Sequence, residues 1–434
     1  MIRGAPLWYE LLWRLALPLA LLRLWWRGLR EPAYRQHVAE RLGRYPARPD
    51  ARPVIWIHAV SVGETRAAEP LVAAFRNSHP DHLVVLTHMT AAGRETGRAL
   101  FGERVLQAYF PYDTASACAR FLDWCQPRFG LLMETELWPN MILRAAQRGI
   151  PVFLVNARMS EKSARGYARI AGISRAMLRA LAGVAAQTAA DAERLTRLGA
   201  TAVAVTGNVK FDLAVPDTSV HRGRVLRRLF GEGRPILVAG STRDGEEALL
   251  LAAIERAPLP ADALLVIVPR HPQRFDAVAE LLTRRGLPFV RRSAAQPVPP
   301  GTAIVLGDTM GEMLAYYAAA DVAFIGGSLL PLGGQNLIEP LAVGTPVLIG
   351  RSTFNFAEAA RDALARGAAR QGADADAIIA AAAELLGNAE LRGKMTAAGR
   401  ELLAAHRGAT RRTLDWMAAR LAAIRQGAAT EARG

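Results

Sequence analysis

Short apolar runs alternate with Ala-rich stretches of helical spacing along most of this chain, and few folds can absorb that alternation. In the N-terminal half the runs are "VIWIHAV", "HLVVLTHM", "RVLQAYFPY", "FGLLMET", "PVFLVNAR", "GVAAQT" and "AVAVTGN". Each is brief and rich in β-branched, aliphatic or aromatic residues, which with the intervening helical spacing is the pattern of βαβ units. Near 207–235 the pattern loosens into scattered Pro, Gly and charge, and a domain boundary is expected close to residue 215. The series restarts with "PILVAGS", "ALLVIVPR", "PFVRR", "AIVLGD", "VAFIGGS" and "PVLIG". Two such series predict an α/β chain with two Rossmann-like domains, 31–215 and 216–434, facing a central cleft. Parallel sheets of this kind bind ligands at the carboxyl ends of their strands. The Ala- and Arg-rich tail after Asp374 reads as helix, part of the second domain.

At 434 residues and 51% hydrophobic, the chain has ample material for buried cores. Cys118 and Cys125 lie too far apart for metal spacing, so free thiols in a reducing compartment are expected. The net charge of +15 calls for an anionic partner or surface: nucleic acid, membrane lipid or a small anionic substrate. No clustered basic patch or nucleic-acid motif accompanies it, so a nucleic-acid partner is not expected.

The segment 1–30 favours the membrane. "APLWYELLWRLALPLALLRLWWRGLREP" is mostly Leu, Trp and Ala, punctuated by Glu10, Arg14, Arg23, Arg27 and Arg30. Its uninterrupted apolar run, Leu15 to Leu22, is too short for a bilayer core of about 30 Å. A longer span from Gly4 would need Glu10 and Arg14 to pair, and Pro18 adds a kink. No small-residue cleavage site follows, which argues against a removed signal peptide. Trp25 and Trp26 beside the arginines resemble an interfacial belt facing acidic lipid. A helix packed on its own domain is the alternative.

Chemistry is expected at the strand ends. "VIWIHAVSVGET" hands a lone carboxylate, Glu64, to a glycine turn at the start of a helix, where the dipole should keep it ionised. Taken alone, Glu64 reads first as a helix-dipole residue and only second as a catalytic one. Ser241-Thr242-Arg243 follow one strand of the second series; with Lys210 in "GNVKFD" they suit a phosphate or a carboxylate, although Lys210 reads nearly as well as a surface lysine. Gly326-Gly327 and Gly333-Gly334 leave backbone N–H groups for phosphate oxygens, although glycines also serve plain turns. Nothing matches the P-loop pattern. Asn336 and Glu339, three apart, would share one helix face, as a ribose contact or as a cap and dipole partner. Glu134 and Glu136 share a face if extended, as an acid/base pair, metal ligands or solvated loop acids. His58, His82 and His88 are read as packed, and no metal is expected.

"WIHAVSVGET", "LLMETELWPN", "NARMSEKS", "TGNVKFD", "AGSTRDGEE", "PRHPQRF", "GDTMGEM" and "GGSLLPLGGQNLIEP" together resemble the 3-deoxy-D-manno-octulosonic acid (Kdo) transferases of lipid A assembly, over essentially the whole chain. The resemblance implies a GT-B fold, a CMP-Kdo donor bound in the second domain, and a tetra-acylated disaccharide 4′-phosphate acceptor (lipid IVA). It also implies the cytoplasmic side of the bacterial inner membrane, where the arginine-flanked tryptophans would meet acidic lipid as a partner, and no cofactor or metal. Carried over, Glu64 of "VGE" is the general base of an inverting transfer. Pro269, Arg270, Met310, Gly311, Glu312, Asn336, Leu337, Ile338 and Glu339 match the CMP-binding segments. Glu134 is read as positioning the acceptor or Kdo. The family's "N-x-L-E" stands here as Asn336-Leu337-Ile338-Glu339, which keeps the polar ends. A GT-B transferase using a UDP-sugar is the alternative.

Overall fold

The computed structural model describes residues 4–213 and 215–431, side chains at 30 and 428–431 excepted. Two compact units divide it: one runs to Asp212 and resumes at Gly408, the other covers Leu213–Arg407.

In the first unit β1 (Val54–His58), β2 (Leu83–His88), β3 (Leu106–Tyr109), β4 (Pro127–Met133), β5 (Val152–Ala157), β6 (Gly183–Ala186) and β7 (Val203–Val205) form one sheet. Its order is β3-β2-β1-β4-β5-β6-β7 and every pairing is parallel. β1 and β2 are buried at every position, as expected of strands covered by helices on both faces, where apolar residues run on without alternation. One face packs Trp56, Phe110 and Phe121; the other packs Ile57, Leu71 and Phe129. Strand order reverses between β1 and β4, so the ends of those two strands flank a crevice.

The second unit repeats the design. β8 (Ile236–Thr242), β9 (Leu264–Pro269), β10 (Phe289–Arg291), β11 (Ile304–Leu306), β12 (Val322–Ile325), β13 (Val347–Ile349) and β14 (Ala369–Gln371) pair in the order β10-β11-β9-β8-β12-β13-β14. All are parallel, and the reversal falls between β8 and β12.

The C-terminal helix is a correction to the sequence reading. The helix Ala409–Glu431 was expected with the second domain, yet it belongs to the first unit. Asp212 accepts hydrogen bonds from the Gly408 and Thr410 amides, each at 2.6 Å. Trp416 meets Phe153 edge to face, and Met417 is buried beside Ile57 and Val155. Helical periodicity says that a face must be covered, not which sheet covers it.

The N-terminal helix runs Leu7–Arg30 with Pro18 inside it. Trp8, Leu11, Leu15, Leu19, Leu22 and Trp25 are exposed along it, whereas Leu24 is buried. Its docked face is polar at the start: the Tyr9 hydroxyl donates to Asp113 at 2.8 Å and Glu10 accepts from the Ala115 amide. Glu10 thus serves a neighbouring helix rather than Arg14. Among the described residues, no helix is long and apolar enough to cross a membrane; the Arg30 side chain, placed in the expected basic belt, lies outside them.

Just past this helix, Glu40 accepts from Arg94 at 2.7 Å and from the Tyr109 amide at 2.7 Å, with both side chains buried. Arg94→Met would leave that carboxylate buried without its cation and should cost about 3 kcal/mol in a denaturant titration.

Candidate functional site

The turn after β1 is built by a four-residue exchange. Ser61 is the N-cap of the helix Val62–Ala67, its hydroxyl accepting from the Glu64 amide. The Glu64 carboxylate reaches back, accepting from the Val60 amide at 2.9 Å and the Ser61 hydroxyl at 3.2 Å. Such reciprocal capping is signalled by S-x-x-E ahead of a helix, and here it locks the carboxyl group at the strand end.

The end of β4 brings two more acids to the same crevice. Glu134 sits at φ +57°, a left-handed conformation uncommon outside glycine. Its amide donates to the Val155 carbonyl and its carboxylate pairs with Lys210 Nζ at 2.5 Å. Glu136 accepts from the Trp138 indole N–H at 2.9 Å and faces His58 Nε2 at 3.9 Å. The turn at Glu134 means the two acids do not share the face of an extended strand, yet both act on Glu64.

Burial of its carboxyl, then the Glu134 and Glu136 carboxylates, push Glu64 up to about 8. The expectation of an ionised Glu64 is therefore corrected: desolvation and two like charges outweigh its hydrogen bonds and its place in the first helical turn. Glu136 is raised to about 7, mainly by burial. His58 is pushed down to about 3 by burial and is held neutral. Two carboxyl groups raised toward neutrality, Glu64 and Glu136, form with the Lys210-paired Glu134 a site suited to taking a proton from a hydroxyl near neutral pH.

In the second unit the strand ends are rich in glycine and guanidinium. Ser241 stands at φ +56° and its hydroxyl donates to Met313 Sδ at 3.7 Å, which joins the end of β8 to the Met310–Met313 turn. Met310 is exposed, and Gly311 lies at φ +76° with open space where a side chain would begin. Glu312 is held by Thr309 at 2.6 Å and Arg292 at 3.2 Å. Arg270 follows Pro269 at the end of β9; its amide donates to the Thr242 carbonyl and its Nε to Gln335 Oε1 at 3.2 Å. Arg270 thus ties the end of β9 to the "GGQN" loop.

Three sequence expectations change here. Thr242 is fully buried and donates to Glu247 at 2.6 Å, so it is scaffold, with Ser241 and the Arg243 side chain nearer the surface. Asn336 lies outside the helix Ile338–Ala342, accepting from the Ile338 amide in an Asx turn, so Asn336 and Glu339 do not share a helix face. Leu337 and Ile338 are buried in the core and Glu339 is buried beside them, while Asn336 is half-buried.

Other groups were not anticipated. Glu246, fully buried, accepts from the amides of Arg243 (2.9 Å), Gly327 (2.6 Å) and Leu329 (3.0 Å), clamping the β8 turn to the glycine turn after β12. Gly327 stands at φ +73°, which glycine adopts freely. Glu247 holds Arg274 at 2.6 Å. Asn156, at φ +52°, accepts from the Val209 amide and so carries the Lys210 turn. His82 and His88 are buried, as read. Among the described residues no group of three His, Cys, Asp or Glu side chains is placed to hold a metal ion.

A family model described as 3-Deoxy-D-manno-octulosonic-acid transferase (kdotransferase) matches residues 36–213. A 3-deoxy-D-manno-octulosonic acid transferase of Bordetella pertussis is 47% identical over 425 residues, 94% of this chain and 97% of the relative. One of Haemophilus influenzae is 39% identical, covering 92% and 94%. Among solved structures, UDP-GlcNAc 2-epimerase from Neisseria meningitidis aligns over 84% of this chain and 99% of its own with a TM-score of 0.58 at 15% identity. A glycosyltransferase from Rickettsia africae aligns over 86% and 99% with a TM-score of 0.58 at 14% identity. At those identities the likeness concerns the fold.

Proposed function

Because the chain belongs to the 3-deoxy-D-manno-octulosonic acid transferase family, and is a glycosyltransferase of the GT-B fold class, we propose that it moves Kdo from CMP-Kdo to lipid IVA, with Glu64 as the general base. The acceptor hydroxyl oxygen bonds to the anomeric carbon as the bond from that carbon to the CMP phosphate oxygen breaks. The hydroxyl proton passes to Glu64, and CMP leaves with the electron pair. Attack opposite the leaving group inverts the anomeric centre, through an oxocarbenium-like transition state as in inverting glycoside hydrolysis.

One observation carries this reading: Glu64 sits at the reversal of the first sheet with a proton affinity raised to about 8, matched to a base working near neutral pH. Its acid neighbour Glu134, paired with Lys210, positions the incoming sugar. In the second unit Arg270, the Gly311 backbone, Glu312, Asn336 and Glu339 meet CMP, with Ser241 and Arg243 for phosphate or the Kdo carboxylate. Backbone N–H groups at glycine turns and a guanidinium suit the charge that gathers on the leaving phosphate. The exposed Leu and Trp side chains of the helix Leu7–Arg30 rest on acidic lipid at the cytoplasmic face of the inner membrane, where a lipid acceptor lies.

The test is transfer by the full-length protein from CMP-Kdo to lipid IVA, followed by CMP release and product mass. The expected result is Kdo-bearing lipid, inhibited by CMP and not by UDP. Absence of transfer from CMP-Kdo, with turnover of a UDP-sugar instead, would overturn the donor assignment.

A further inference from the structure

The transfer as proposed gives Glu136 no contact with the sugar or the nucleotide, yet its surroundings are unusual. His58 is fully buried, and its Nδ1 lies 3.1 Å from the Thr87 carbonyl, which can only accept. It also lies 3.0 Å from the Thr87 hydroxyl, which accepts from the Trp56 indole and gives its own hydrogen to the Ile57 carbonyl at 3.4 Å. Nδ1 therefore carries the ring hydrogen and Nε2 presents a lone pair. That Nε2 is buried without a hydrogen-bond partner and faces the Glu136 carboxyl across 3.9 Å. A lone pair repels an ionised carboxylate and attracts a protonated one. The Trp138 N–H pulls the other way, since it donates to the same carboxyl. Glu136 is poised between two protonation states by opposing neighbours.

We propose that Glu136 is a positioning residue for Kdo transfer, a carboxyl whose proton, balanced between the Trp138 indole and the open acceptor of His58, governs how readily Glu64 ionises to serve as base. The inference rests on the reading of Glu64 as the base.

The groups facing the pair leave Glu136 as the adjustable charge. Glu134, whose carboxylate also raises Glu64, is held in an ion pair with Lys210 from the turn Val209–Asp212. His88, from the end of β2, lies 3.3 Å from Thr65 on the Glu64 helix. Like His58, it is held neutral by burial. Arg66 stands on the Glu64 helix itself, and Tyr167 faces Glu136 from the helix Glu161–Arg169. Burial holds Glu136 near neutrality, so its charge changes within the working pH range. When it ionises, Glu64 holds its proton more tightly; when it is protonated, Glu64 is freer to lose its own.

The experiment measures kcat/KM against pH for the full-length protein transferring Kdo from CMP-Kdo. With Glu136→Gln the acidic limb should move to lower pH by roughly half a unit to one unit, and Glu136→Asp should bring it back. His58→Phe removes the lone pair, lets Glu136 ionise more readily, and should move the limb the opposite way. A thermal melt of each variant separates folding from function. A limb that stays put in both Glu136→Gln and His58→Phe, with the rate lowered equally at every pH, would reduce Glu136 to a structural residue and overturn the inference. Glu64→Gln distinguishes the two failures: if it transfers at the wild-type rate, the base reading falls and takes this inference with it. If it is inactive while the limb stays fixed, only the role of Glu136 falls.

Discussion

Glu64→Gln should lower the rate of Kdo transfer by about 10²- to 10⁴-fold, the usual contribution of a positioned general base. The amide keeps the size of the side chain and can still accept from the Val60 amide, so the turn after β1 is preserved while the proton acceptor is lost. Nucleotide binding belongs to the other compact unit in the proposed scheme, so CMP affinity should be unchanged, as equilibrium binding would show. Single-turnover transfer measures the loss. In the wild type the free enzyme should gain kcat/KM as pH rises toward about 8, because the base is the ionised form and burial with two acid neighbours raises the group that far. Full turnover in Glu64→Gln would leave Glu64 a capping residue and make Glu134 the next candidate.

Glu246→Ala should cost about 5 kcal/mol, with three hydrogen bonds to a buried carboxylate at about 1.5–3 kcal/mol each and the loss partly relaxed. The amides of Arg243, Gly327 and Leu329 would lose their acceptor in a site closed to water. For the unit Leu213–Arg407, which carries the clamp, that corresponds to a fall of roughly 10 °C in its melting temperature. The clamp also ties the β8 turn to the glycine turn after β12, so CMP affinity should fall with it. Glu246→Gln, which keeps one acceptor oxygen, should lose less on both measures. A melting temperature within a degree or two of wild type for Glu246→Ala would mean the loops hold without their shared acceptor.

What was legible in the chain follows from which physics is local. The strands through β13 stood out because buried parallel strands concentrate Val, Ile and Leu. β14 did not, since Ala369-Arg370-Gln371 carries no apolar run and owes its pairing to β13. The return of the last helix was hidden for a related reason: the contacts of Asp212 with Gly408 and Thr410 span a whole unit of sequence. Glu64 stood out through its motif, and Ser61-x-x-Glu64 was a second signal that went unread. Its protonation was not visible, because the burial that raises it, and the carboxylates from β4 that add to it, come only once β4 lies beside β1. Asn336 and Glu339 were misread by spacing alone, as an Asx turn begins two residues before the helix. Glu246 stands beside Glu247 in the first turn of a helix, where acids are common, and its partners Gly327 and Leu329 lie far along the chain.

The closing helix also sets a schedule for synthesis. Because residues from Gly408 onward complete the core of the first unit, that unit has its seven strands in hand long before it has its last packed surface. On the ribosome the second unit, a contiguous piece of chain, can finish while the first still waits with the patch around Phe153 and Ile57 uncovered. Domains generally fold as they emerge, and exposed apolar surface is where aggregation begins. A chain stopped after Arg407 would therefore be an unfinished first unit joined to a complete second one, rather than an enzyme short of a tail.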